Sequence, residues 1–126
     1  MAKLPLAFFT AAALCALAGM VWGVIMAASG DHSMMPAHAH LNLLGWATLA
    51  LMGGFYALTG TGGRLGWINF WFSALGVVIA VPSIALLLSG KPQFEAGATA
   101  GSILVIIGML AFLAGILRHW RAPKAA

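Results

Sequence analysis

Four apolar stretches, roughly Leu6 to Ala28, Ala37 to Leu58, Trp67 to Ser89 and Thr99 to Leu117, alternate with short polar breaks along the chain. Each is close to the ~20 residues with which an α-helix crosses ~30 Å of hydrocarbon. The breaks, Ser29 to Pro36, Thr59 to Gly66 and Gly90 to Ala98, are too short to hold a soluble domain. The pattern predicts an all-α integral membrane protein in which residues 1–126 form one domain of four transmembrane helices. The first stretch follows Lys3 and ends near Ala27-Ala28-Ser29, as in a signal peptide, but its apolar core is too long for one, and it is expected to be an uncleaved helix.

Composition agrees with the pattern. The chain is 63% hydrophobic and 6% charged, which excludes an ordinary soluble domain. Its six basic residues set the expected orientation. With four spans both termini share a side, and Lys3, Arg64, Arg118, Arg121 and Lys124 fall there, against Lys91 beside Glu95 on the other. Basic residues concentrate on the cytoplasmic side, so both termini are expected to be cytoplasmic in a multi-pass protein of a bacterial-type inner membrane. The net charge of +4 is then a topology signal, and no nucleic-acid partner is expected, because the basic residues are few and flank spans. Cys15 is the only cysteine, so no intrachain disulfide forms.

Within the spans, Gly19 and Gly23 have the small-xxx-small spacing that lets helices approach closely in lipid. Gly97, Gly101, Gly108 and Gly115 fall on one stripe of the fourth span, which serves either packing among the four helices or a subunit interface. Gly45, Gly53 and Gly54 thin the second span, leaving room for something bulky alongside it. Pro36 suits a helix start, and Pro82 is expected to kink the third span. Trp22, Trp67 and Trp71, near span ends, read as interfacial anchors.

The polar groups that need a reason are His38 and His40, which open the second span. Helical side chains turn by about 100° per residue, so two imidazoles two residues apart face nearly opposite sides. One helix therefore cannot close both on one metal ion; it suits two sites, one on each flank. Asp31 and Glu95 are the only acids and both fall in predicted loops, so paired carboxylates, a Ser-His-Asp triad and a buried acid relay all lack their parts. Three readings of the histidines follow. They are interfacial side chains bonded to water and headgroups; they are axial ligands of a haem, whose iron binds neutral imidazole and whose faces suit an apolar setting; or, with His32, Met34 and Met35, they form an outer copper site. His119, in the basic tail, reads as a surface residue.

The run Ala37-His38-Ala39-His40-Leu41-Asn42-Leu43-Leu44-Gly45-Trp46, continuing to Met52-Gly53-Gly54-Phe55-Tyr56, resembles haem-binding helices of haem-copper oxidase subunit I and of nitric-oxide reductase large subunits. In that family a His-x-His on the tenth helix ligates haems on either side, and a His-x-Asn on the second supplies another axial ligand. His38 and His40 match the first pattern, His40 and Asn42 the second. The resemblance implies haem b as cofactor, His38 and His40 as iron ligands, and Asn42 and Gly45 beside the macrocycle.

The departures bear on activity. Family members carry twelve helices in three pseudo-equivalent groups of four, and this chain resembles one such group. It lacks the copper-site histidine cluster and the His-Pro-Glu-Val-Tyr type motif, so oxygen reduction with proton pumping is not expected. With two opposed imidazoles per chain, a bis-histidine haem needs a ligand from another copy, His38 of one facing His40 of its neighbour in a cyclic assembly. The resemblance favours a homotrimer of twelve helices, and a dimer is the alternative. Electron transfer to an unknown redox partner, redox sensing or haem handling is then expected. The other readings are a copper-handling membrane protein and a structural subunit docked through its glycine stripes.

Overall fold

The computed structural model describes residues 2–122, so Lys124, counted above among the basic residues of one side, lies outside the described residues. Every element among those residues is helical. Helix α1 is Lys3–Ser29, α2 is Met35–Thr59, α3 is Gly63–Leu88, and α4 is Glu95–Arg121, entered through a short 3₁₀ turn at Pro92–Phe94. All four are long and apolar enough to cross a bilayer.

Two breaks have simple local causes. Gly30 at φ 70° and Gly60 at φ 65° adopt the left-handed conformation that ends a helix and donate their N–H groups to Met26 and Tyr56. Pro36 lies in the first turn of α2, where its missing N–H costs nothing. Pro82 lies on the outward side of α3, which continues as one helix through it to Leu88.

Helix α2 departs from the expected regular helix. It opens as an α-helix over Met35–His40, widens to a π-helix over Leu41–Thr48 and returns to α over Leu49–Thr59. The Thr48 hydroxyl, donating to the Leu43 carbonyl at 2.7 Å, spans the five-residue step of that wider turn.

Helix α3 is central and touches each of the others. Helices α1 and α2 pair closely on one side of it, and α4 lies against the other. The larger core cluster joins Leu4, Phe8 and Ala12 of α1 to Leu49, Met52 and Tyr56 of α2 and Phe70 of α3. Phe8 meets Phe70 edge-on at 5.1 Å between ring centroids, and Phe112 of α4 joins through Phe55 at 5.3 Å. In a bilayer, where lipid is as apolar as these side chains, close fit more than exclusion of water would hold such helices together.

Glycine supplies that fit between α3 and α4. A Cβ at Gly101 would stand 2.5 Å from the Ala80 backbone nitrogen, and one at Gly108 would collide with Ser73. One at Gly97 would stand 2.5 Å from the Ser83 hydroxyl. The stripe thus packs inside the bundle for most of its length. Gly62 and Gly66 lie against Leu4, which brings the start of α1, the α2–α3 turn and the end of α4 to one end of the molecule. Lys3, Arg64, Arg118 and Arg121 belong to this basic end, and Asp31, Lys91 and Glu95 to the opposite one.

Candidate histidine site

The α-helical opening of α2 separates His38 from His40, as their spacing requires. His38 is half-buried against α1, whereas His40 is exposed. The two imidazoles serve different surroundings.

His38 enters a groove cut by Gly19 and Gly23. Its Nε2 lies 3.0 Å from the Gly19 carbonyl oxygen. A carbonyl only accepts, so Nε2 carries a proton and donates it. Asn42, one turn on, donates from Nδ2 to the His38 carbonyl at 2.9 Å and lies 3.1 Å from the ring Nε2. The indole of Trp22 meets the imidazole edge-on at 6.2 Å. A Cβ at Gly19 would come within 2.5 Å of Asn42 Oδ1, and one at Gly23 within 3.3 Å of His38 Nε2. The α1 glycines therefore receive two polar side chains of α2.

His40 has the opposite arrangement. Its Nδ1 donates to the Pro36 carbonyl at 2.7 Å, one turn back along its own helix. The proton is thereby held on Nδ1, leaving the Nε2 lone pair free on the outward side. Ala39, Leu43 and Leu44 surround it, and the four residues line a shallow, open depression of about 210 Å³ with almost wholly apolar walls.

Gly45 is buried in the bundle, where a Cβ would stand 2.8 Å from Cys15 Sγ and 3.2 Å from Val77 Cγ1. The room expected beside it is filled by the chain's own side chains. Gly53 packs on Phe8, and only Gly54 of the three faces open space.

In the loop above the histidines, Asp31 Oδ1 accepts the Ser33 N–H at 2.9 Å, and His32 Nδ1 donates to the Gly30 carbonyl at 3.1 Å. The Ser33 backbone N–H, then its hydroxyl, hold the Asp31 carboxyl below its ordinary range, with a smaller pull from His32. No three His, Cys, Asp or Glu side chains converge on one point among the described residues.

A second polar cluster, which the sequence did not single out, crosses the core toward the basic end. Asn69 Nδ2 donates to the Tyr56 hydroxyl at 3.0 Å, and the Ser73 hydroxyl donates to Asn69 Oδ1 at 3.0 Å. Tyr56 is 1% exposed and Asn69 fully buried. Asn69 and Ser73 are one turn apart in an apolar run, and that i, i+4 polar pair was the available signal.

The protein-family models, the curated proteins and the solved structures compared with this chain give no match, and its reading rests on the geometry above.

Proposed function

We propose that the chain is a small membrane b-type haem protein, and that His40 supplies one axial ligand of a haem shared between copies. The observation that carries this reading is the bonding of His40: its Nδ1 donates to the Pro36 carbonyl at 2.7 Å, while the side chain is exposed and its Nε2 has no partner among the described residues. Axial imidazoles that ligate iron through Nε2 commonly donate the other ring proton to a carbonyl in this way. The apolar walls of Ala39, Leu43 and Leu44 suit the face or edge of a porphyrin. The site is shallow and one-sided, so the fit extends to one axial ligand and part of one face; the remainder belongs to a neighbouring copy.

His38 has a different part in this reading. Its Nε2 already bonds Gly19, so it reaches a haem only by giving up that bond and turning out of the α1 groove. Asn42 bonds the His38 backbone carbonyl and fills the space left by Gly19 beside the ring, and Gly45 acts through helix packing. Bis-imidazole coordination would leave iron without an open position, which suits electron transfer, redox sensing or haem handling better than turnover of a substrate. We further propose an inner-membrane setting with the basic end cytoplasmic, in keeping with its excess of Lys and Arg. With His38 held on Gly19, a two-fold dimer in which two His40 side chains face one haem fits this ligand set, whereas the homotrimer that the resemblance of the Ala37 to Trp46 run favours requires His38 to turn outward.

Reduced-minus-oxidised visible spectra of the purified chain test the proposal. A Soret band with about one iron per haem and its loss in His40→Ala are expected, with His38→Ala lowering stability more than haem content. Full haem content in His40→Ala, or a colourless wild-type protein expressed with ample haem, would overturn it. Copper bound without a porphyrin spectrum would point to the metal-handling reading.

A further inference from the structure

A cavity of about 300 Å³ opens at the basic end, far from the histidine pair, between the α2–α3 turn and the last turns of α4. Its lining includes Thr61, Gly62 and Gly63 from the turn, Arg118 and His119 from α4, and the Tyr56 hydroxyl at its inner edge. We propose that this cavity binds a phosphate-bearing anion.

Four observations converge on it. First, Arg118 has no acidic side chain to pair with, because Asp31 and Glu95, the only two acids of the chain, both lie at the opposite end. Second, the amides at the start of α3 point toward the turn without a side-chain cap, and the N-cap is Gly62, which has no side chain to offer. Such amides stand at the positive end of a 26-residue helix. Third, Gly63, at φ 51°, has open space where a Cβ would stand, while Gly62, at φ 133°, gives its room to Leu4 and the Tyr56 ring, so the backbone of Gly63 is bare at the cavity wall. Fourth, Tyr56, 1% exposed, accepts from Asn69, so its own hydroxyl proton remains to be donated where the ring meets the cavity.

A guanidinium, an imidazole, backbone amides and a phenol together offer donors and positive charge and, among the described residues, no anionic side chain, which is the chemistry that selects phosphate oxygens. Basic residues in the last turn of a helix also complement its dipole, and Arg121 does so outside the cavity. Arg118 differs from it in lining the cavity. That difference supplies the internal control.

Two sources share this chemistry, a phospholipid headgroup at the membrane surface and free phosphate. Delipidated full-length protein in neutral detergent is titrated with inorganic phosphate in one arm and with phosphatidylglycerol in the other, with phosphatidylcholine as reference lipid, and bound ligand is counted by native mass spectrometry. Saturable binding of one ligand per chain is expected. Phosphatidylglycerol alone identifies the headgroup as the source, and binding of inorganic phosphate identifies the free ion. Arg118→Gln should weaken binding about tenfold or more, and Arg121→Gln, an equal change of charge, by less than about twofold. Gly115→Leu, which fills the cavity without altering charge, should abolish it. Absence of binding in both arms, equal losses in the two arginine variants, or full binding by folded Gly115→Leu would overturn the proposal.

Discussion

Gly19 illustrates how one missing methyl group sets a polar contact. The space its Cβ would occupy holds the Asn42 amide, and its carbonyl takes the His38 proton. Gly19→Val should therefore force α1 and α2 apart and cost about 1–3 kcal/mol, the usual range for overpacking, read as a lower melting temperature in detergent. Gly54→Ala, with nothing within 4 Å of the added atom, should be neutral or slightly stabilising in the same assay. Tyr56→Phe would leave the Asn69 amide without its acceptor in the core, at a cost of about 1–3 kcal/mol. Asp31 belongs to the aqueous loop, and its carboxyl titrates below the ordinary aspartate range because Ser33 bonds the charged form. A depressed folded-state pKa contributes stability above the unfolded value and loses it as pH falls through the folded one. The loop should thus keep its turn down to pH values below those at which free aspartate titrates, and Ser33→Pro, which removes the N–H, should return the Asp31 midpoint toward normal in an NMR titration.

At the scale of elements, hydropathy made the four helices legible, because each apolar run has the length a bilayer demands and each polar break ends one. The helices extend a few residues past the apolar runs at most ends, since backbone hydrogen bonding continues into the polar flanks; Lys3 and Arg121 are examples. The opposed directions of His38 and His40 were also legible, following from helical rotation alone. The π stretch at Leu41–Thr48 was not, because nothing in its composition marks a change of hydrogen-bonding step. Deleting Thr48 should turn the stretch into ordinary α-helix and leave its two flanks in nearly the same rotational phase, because the wider turn holds one residue more than an α turn, so His38 should stay on the Gly19 carbonyl. A His38 Nε2–H signal that stays slowly exchanging in this variant, and is lost when Ala50 of the regular segment is deleted instead, would report this. Nor could sequence choose between the two uses of the α4 glycine stripe, since packing inside the bundle and packing against a neighbour need the same small residues. The structure gives Gly97, Gly101 and Gly108 to α3, so Gly101→Leu should disrupt the fold of the chain itself, visible as aggregation or loss of helix content, with no need for a second copy to reveal it.

At the scale of the whole molecule, the charged groups divide by sign as well as by place. Acids occur only at the end that bears His32, His38 and His40, while the other carries cations without a carboxylate side chain to meet them. The outward faces between are apolar, with Leu14, Leu17, Val24, Leu51 and Val78 all more than half exposed. The contacts that shape the histidine site, those of Gly19, Gly23, Trp22, Pro36, His38, His40 and Asn42, all belong to α1 and the beginning of α2. None draws a polar partner from α3 or α4. On the ribosome this segment emerges before α3 and α4, and a nascent chain that has delivered Asn42 already contains every donor and acceptor described around the two imidazoles.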